Sequence, residues 1–304
     1  MSAPRSSLRP SFFVVGAQKA GTTTLHDWLT ELPDVRLPAI KETHFFSEDA
    51  RYARGEGWYL SQFRGAGGAG AVAGEVDPEY LYAETAAGRL AAFAPEARVV
   101  AVLRDPLKRA WSHFQMTQAR GLEPLGFAEA LEAEAERLRT GGAHARMHFS
   151  YLDRGRYADH VERLQAALPA AAFEIVTFEA LFHPETRLPT LERIVRFIGS
   201  RADVAALDLE QRSNAAHRPR WAWINGLLHH DRTERRRWTA WVPASWKERA
   251  WVVLARLNQR AAPAAAAPEM PEVPDWVRAW ADEQAAAVRT RLGVDVAAWP
   301  RRMA

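Results

Sequence analysis

Four short stretches of this 304-residue sequence combine residue types and spacings that could do chemistry. The first is Gly16-Ala17-Gln18-Lys19-Ala20-Gly21-Thr22-Thr23-Thr24. Its two glycines keep the spacing of the phosphate loop G-x-x-x-x-G-K-[ST], in which backbone N–H groups and the start of the next helix cradle an anion. Thr22 stands where that loop has its lysine, and Lys19 lies three positions earlier. A lysine set back in this way suits a shorter phosphate chain, and the threonines add hydroxyl donors. The second stretch runs from Leu103-Arg104-Asp105-Pro106 to Ser112. An arginine at the C-terminal end of a strand faces the ligand crevice of an open α/β sheet and matches phosphate in a bidentate way; alone, it would equally suit a structural ion pair. Leu103 is followed directly by Arg104, so the strand end offers no obvious acid to hold Mg²⁺. The third stretch is Lys41-Glu42-Thr43-His44-Phe45-Phe46-Ser47. Glu42 and His44 are candidate proton acceptors. Two residues apart in an extended segment, they would face one way while Phe45 and Phe46 anchor the segment in the core. Taken alone, Glu42 beside Lys41 is an ordinary surface pair. The fourth stretch is the basic run Arg212–Arg220, which includes Asn214 and Arg218.

Regular elements must position these residues. Phe12–Val15 is an apolar run that stops at Gly16 and reads as a buried parallel strand. Leu25, Trp28, Leu29 and Leu32 then recur at helical spacing until Pro33. Ala71–Val76, Arg98–Leu103 and Phe173–Phe178 are further strands, and Gly65–Gly70 is a surface loop. Asp105 is an N-cap with Pro106 at the first helical position, followed by the stripe Leu107, Ala110, Trp111 and Phe114. Phe127–Arg139 reads as an exposed helix. Tyr157, Val161, Leu164 and Leu168 mark another, and Leu191, Ile194, Val195 and Ile198 one that Gly199 closes. From Asn214 onward no strand pattern is present. Trp221–Gln259 reads as mainly helical, Ala261–Pro274 as irregular, and Asp275–Leu292 as a last helix. Strands alternating with helices imply an α/β fold, a central parallel sheet flanked by helices.

Composition narrows the classes of function. With no cysteine, disulfides, thiolate nucleophiles, Fe–S clusters and Cys-ligated zinc are excluded. The net charge is only +3, but it is unevenly spread. Between Gln211 and Arg260, eleven basic side chains face three acidic ones, among six of the twelve tryptophans. This segment reads as amphipathic helices with buried Trp and Arg reaching outward. An anionic-glycan surface, a peripheral membrane contact through 221–260 or a nucleic-acid patch are the sharper alternatives. No apolar run approaches the ~20 residues that span a bilayer, and Phe12–Ala17 is short for a signal-peptide core. A soluble, cytoplasmic protein is the expectation.

The first loop resembles the 5′-phosphosulfate loop G-x-x-K-x-G-T-[ST]-x-L of sulfotransferases that use 3′-phosphoadenosine 5′-phosphosulfate (PAPS). That resemblance implies cofactor contacts from Gln18, Lys19, Ala20, Gly21, Thr22, Thr23 and Thr24, with Lys19 stabilising the leaving phosphate. Arg104 and Ser112 are similar to the Arg-x₇-Ser pair that binds the 3′-phosphate. Asn214 and Arg218 resemble a late loop closing over the same group. Lys41–Phe46 resembles the K-E-x-H-F-F motif of glycan sulfotransferases, whose glutamate is the general base. Glu42 inherits that role, with His44 assisting and Lys41 near the reacting groups. Gly74-Glu75-Val76-Asp77-Pro78-Glu79-Tyr80-Leu81 resembles G-E-K-[ST]-P-x-Y-L, but Val76 replaces the lysine and Asp77 the hydroxyl. Asp77 and Tyr80 join Lys41 as expected acceptor contacts.

These readings converge on a single P-loop-like domain over 1–304, with an α/β cofactor-binding and catalytic core at 11–220 and a helical extension at 221–304. The expected reaction moves a sulfuryl group from PAPS to a hydroxyl or amine acceptor, a glycan, glycolipid or small metabolite. It releases 3′-phosphoadenosine 5′-phosphate (PAP) and needs no metal and no nucleic-acid partner. A nucleotide-dependent kinase and a non-catalytic nucleotide- or glycan-binding module are the alternatives.

Overall fold

The apolar runs pair as parallel strands. The computed structural model describes residues 8–63, 70–209, 217–219, 259–261 and 268–300. In chain order the elements are β1 (Phe12–Gly16), α1 (Thr22–Glu31), β2 (Val35–Arg36), α2 (Asp49–Tyr52), α3 (Gly55–Leu60), β3 (Val72–Val76), α4 (Glu79–Tyr82), α5 (Glu84–Phe93), β4 (Arg98–Leu103), α6 (Pro106–Ala119), α7 (Phe127–Thr140), α8 (Gly142–His148), α9 (Tyr157–Ala167), β5 (Ala172–Thr177), α10 (Phe178–Phe182), α11 (Arg187–Phe197), β6 (His217–Pro219), β7 (Gln259–Ala261) and α12 (Asp275–Leu292). The chain forms two compact units, Met1–Arg109 with Asp153–Ser213 and Asp275–Ala304, and Ala110–Leu152 with Asn214–Pro274. This division differs from the expected partition at residue 220. The chain leaves the first unit within α6, and the last helix belongs to that unit.

In the first unit the strand order is β2-β3-β1-β4-β5, all parallel and flanked by helices. β1 is buried along its whole length, and so is β4 from Val99 onward. This is why both read as unbroken apolar runs rather than alternating ones. β1 and β3 approach closely at Gly74, where a Cβ would lie 2.4 Å from the Phe12 backbone oxygen. Parallel pairing puts the carboxyl ends of β1, β3, β4 and β5 along one edge, where open α/β sheets bind ligands.

The second unit is built on helices. α7, expected to be exposed, buries Phe127, Ala130, Leu131 and Glu134. Phe127 packs on Phe114 and Trp111 at 5.1 and 5.0 Å between ring centres. Glu134 accepts the Leu152 N–H at 2.7 Å, and Glu123 takes both Arg137 and the Tyr151 hydroxyl. The Glu- and Ala-rich pattern concealed these buried polar contacts. β6 pairs antiparallel with β7, so Arg218 lies in a short strand opposite Arg260 instead of in a loop. The helical reading of Trp221–Gln259 falls almost wholly outside the described residues, and Asn214 falls outside them too.

Candidate active site

The loop after β1 is shaped by two left-handed residues, Lys19 at φ 70° and Gly21 at φ 83°. Glycine is required at the second because a Cβ there would meet the Phe182 ring at 2.3 Å. Gly21 is the N-cap of α1 and has no side chain to cap it. The first-turn N–H groups at Thr22–Thr24 therefore lack intrahelical acceptors and face the loop's concavity with the positive end of the helix dipole. Thr22 and Thr24 are buried, and Thr23 is half-buried. Ala20 is wholly buried and packs rather than contacts a ligand through its side chain.

Arg104, one residue past β4, donates from Nη1 to the Lys19 carbonyl at 3.0 Å and stacks over Phe178 at 4.6 Å. Its own carbonyl accepts the Tyr157 hydroxyl at 2.8 Å. Arg104 thus braces the donor loop from the neighbouring strand, a role that sequence reading did not assign it. Among the described residues its buried Nε has no hydrogen-bond partner, and neither has the buried Oε1 of Gln18. Asp105 Oδ1 accepts the Lys108 N–H at 2.8 Å, the expected N-cap. Ser112 lies farther along α6, in the second unit.

The Lys41–Ser47 segment is not extended, which corrects the expectation. Glu42 and His44 are both left-handed, at φ 56° and 53°. Each such non-glycine residue costs about 1–3 kcal/mol. Burial of Phe45 and Phe46 offsets this, at about 1.5–3 kcal/mol per ring. Phe46 meets Phe13 edge-on at 5.8 Å, and Phe45 stacks on Tyr59 at 4.6 Å. Two buried carboxylates then fix the backbone. Glu75 Oε1 accepts the Thr43 N–H, and Asp77 Oδ2 accepts the His44 N–H, each at 2.8 Å.

Asp77 and Tyr80, expected to touch the acceptor, are instead fully buried. Asp77 Oδ1 accepts the Glu79 N–H at 3.1 Å, and Asp77 Oδ2 lies 3.1 Å from His44 Nδ1. The Tyr80 and Tyr59 hydroxyls donate to Glu75 Oε2 at 2.9 and 2.8 Å. Both residues hold the loop from below. Glu75 and Tyr59 were missed by sequence reasoning. The available signal was an acid inside an apolar strand, at the alternation that puts 73, 75 and 77 on one face.

Electrostatics follow from this burial. Burial, reinforced by Asp77 nearby, pushes the Glu75 carboxyl up to about 7. For His44, burial lowers the pKa, but the hydrogen bond and charge of Asp77, with Glu48 and Glu42 beyond, outweigh it and raise the imidazole to about 9. Burial also holds the Arg104 guanidinium below its ordinary value.

The two loops meet at Lys41. Its Nζ donates to Thr23 Oγ1 at 2.8 Å and lies 3.5 Å from Glu42 Oε1. Lys41 and Glu42 are each about one-third exposed, 33% and 31%. An anion cradle and a solvent-reaching carboxylate are thus joined through one ammonium group. Among the described residues no group of three or more His, Cys, Asp and Glu could hold a metal ion, and no helix is long and apolar enough to cross a membrane.

Known proteins are similar to this chain in sequence and fold. The sulfotransferase domain family matches residues 9–222. The Homo sapiens bifunctional heparan sulfate N-deacetylase/N-sulfotransferase 2 is 29% identical over 199 residues, 62% of this chain and 22% of that protein. The Homo sapiens heparan sulfate glucosamine 3-O-sulfotransferase 6 is 30% identical over 180 residues, 59% of this chain and 50% of the relative. The chain therefore spans about a fifth to a half of the length of these curated relatives. A crystal structure of a sulfotransferase from Alicyclobacillus acidocaldarius has the same fold, with a TM-score of 0.64 at 22% identity over 96% of this chain and 98% of that one. With the family match covering most of the sequence and the donor loop, Arg104 and the Lys41–Phe46 loop all lying within it, the chain belongs to the sulfotransferase domain family.

Proposed function

We propose that the protein transfers a sulfuryl group from PAPS to a hydroxyl or amine of a glycan, with Glu42 as the general base. The observation that carries this reading is the Lys41 bridge, which sets the proposed base loop against the proposed donor loop. When bound, PAPS supplies the sulfuryl group and a nucleotide phosphate leaving group. The donor set suits it: uncapped N–H groups at the start of α1, the hydroxyls of Thr22, Thr23 and Thr24, Lys19, and an Arg104 with Nε still unbonded. Lys19 and the loop amides stabilise negative charge that grows on the leaving oxygen. Arg104 contacts the 3′-phosphate while bracing the loop. Glu42 takes the acceptor proton as the new bond to sulfur forms, and Lys41 keeps its carboxylate oriented. Ser112, Asn214 and Arg218, in the second unit, are assigned to the nucleotide by resemblance alone. The glycan acceptor is inferred from relatives named for heparan sulfate. A cytoplasmic location remains part of the proposal.

The test is transfer of ³⁵S-labelled sulfuryl groups from PAPS to a panel of glycans, glycolipids and small hydroxylated or amino acceptors. Glu42→Gln should abolish transfer and leave PAP affinity within about threefold. An active Glu42→Gln enzyme reassigns the base. Mg²⁺-dependent ATP turnover would replace this reading with a kinase. PAP binding without transfer to any acceptor would reduce it to a binding module.

A further inference from the structure

Asp77 is a fully buried carboxylate that accepts the Glu79 and His44 backbone N–H groups and lies against the His44 ring. A buried carboxylate is retained only where hydrogen bonds and a countercharge compensate its lost hydration. The His44 imidazole provides the countercharge, with Nδ1 3.1 Å from Asp77 Oδ2. The same oxygen accepts the His44 N–H, which fixes the left-handed turn, while the ring meets it as an ion-pair contact outside hydrogen-bond geometry. This leaves Nε2, which has no hydrogen-bond partner among the described residues, on a side chain 31% exposed.

The charged groups around the ring are uniformly acidic. Asp77 faces it from the β3–α4 turn, Glu42 from its own loop and Glu48 from the turn before α2. The nearby cations are committed elsewhere, Lys41 to Thr23 and Glu42, and Arg51 to Glu48 at 3.7 Å. Val76, at the position where the resembling motif has lysine, is buried and apolar. Among the described residues the His44 imidazole is therefore the cation the base loop turns to the Asp77 carboxylate.

We propose that Asp77 is a positioning residue that keeps His44 in its cationic form, so that His44 serves the reacting centre as a hydrogen-bond donor through Nε2 and not as a proton acceptor. The second half of this statement rests on the sulfuryl-transfer reading; the first does not. With Nδ1 turned to the Asp77 carboxylate in an ion pair, the imidazolium keeps Nε2–H as a charge-assisted donor for an anionic oxygen. It also removes His44 from competition with Glu42 for the acceptor proton. Such a donor acts where sulfonate oxygens gather charge, the place a lysine would otherwise occupy.

The experiment is an NMR titration of the full chain with labelled histidine, the His44 signal being assigned by its loss in His44→Gln. In the wild type, His44 should remain charged at pH 7.5 and titrate near 9. In Asp77→Asn, whose side-chain oxygen can still accept the His44 N–H, the midpoint should fall by more than one pH unit, towards 6.5. A neutral His44 at pH 7.5 in the wild type overturns the proposal even if Asp77→Asn fails to fold, and so does an unchanged midpoint in a folded variant. With an acceptor from the transfer panel, wild-type kcat should hold level between pH 6 and 8, while that of Asp77→Asn should fall about tenfold or more. Parallel profiles overturn the catalytic half. PAP binding, followed by calorimetry on the same samples, reports separately on the donor reading, because Asp77 has no part in the donor cradle.

Discussion

Glu75 is expected to make the protein less stable as the pH rises from 5 to 8, and Glu75→Gln to remove that loss. The carboxyl accepts one backbone N–H and two tyrosine hydroxyls, all neutral donors, while Asp77 beside it has the His44 ring. Burial and the charge of neighbouring Asp77 push Glu75 towards its protonated form. Its folded-state pKa is raised from 4.5 to about 7. Between those values the folded chain binds more protons than the unfolded chain, so stability is fully present below about 4.5 and is lost as the pH rises through 7. The displacement corresponds to about 3 kcal/mol. Glutamine has the shape of the neutral acid and does not ionise. Part of that stabilisation is already lost at pH 5, so relative to the wild type Glu75→Gln should gain roughly 2–3 kcal/mol between pH 5 and pH 8, on the order of 5–10 °C in Tm for a unit of this size. Melting curves followed by circular dichroism at several pH values, on both proteins, measure the difference. Because the remaining titrating groups are common to both chains, the difference reports Glu75 together with its coupling to Asp77. Parallel curves of Tm against pH would refute the reasoning and show that Glu75 is ionised throughout.

Three other substitutions probe the loops. Gly21→Ala puts a Cβ into the Phe182 ring at a left-handed position; PAP should then raise Tm by less than half the wild-type increment. Lys41→Met removes the contacts to Thr23 and Glu42; it should lower kcat on the order of 10²-fold with PAP affinity changed less than threefold, as calorimetry and ³⁵S transfer can show. Asp105→Ala removes the N-cap of α6 and should cost about 1 kcal/mol, or ~2–4 °C in Tm.

The donor side of the site was legible because backbone geometry constrains it. A loop that needs φ 83° beside a phenyl ring has to place glycine there, so the Gly16 and Gly21 spacing is visible in the sequence. β1 and β4 were equally plain, since strands buried on both faces cannot alternate. The acceptor side was less so. Glu42 and His44 are held left-handed by carboxylates more than thirty positions away, and no local period encodes that. The alternation argument expected an extended backbone where the structure has two left-handed residues. Asp77 and Tyr80 were recognised by motif, yet their burial was invisible because polar side chains normally face water. β2 has two residues and α2 and α4 four each, lengths below what periodicity can register. Arg104 was assigned a ligand, and its bracing of the Lys19 carbonyl emerged only from the strand order.

That strand order also explains how the two loops come to be neighbours. β1 pairs in register with β3, Val14 opposite Val76, and the Asp77 N–H donates to the Val14 carbonyl at 3.0 Å. The chain beyond Val14 turns into the donor loop, while the chain beyond Val76 supplies the carboxylate under His44. Adjacent strands lie ~4.8 Å apart, so a loop suspended from the end of β3 cannot be far from one springing from the end of β1. Lys41 closes the remaining gap with a 2.8 Å bond to Thr23. Fixing Glu42 therefore requires little from the base loop's own sequence beyond its two phenylalanines. Sheet register sets the distance, and Glu75 and Asp77 set the backbone from below. An error in either carboxylate should accordingly displace the proposed base while leaving the loop after β1 intact, which would separate the proposed acceptor chemistry from cofactor binding within one sheet edge.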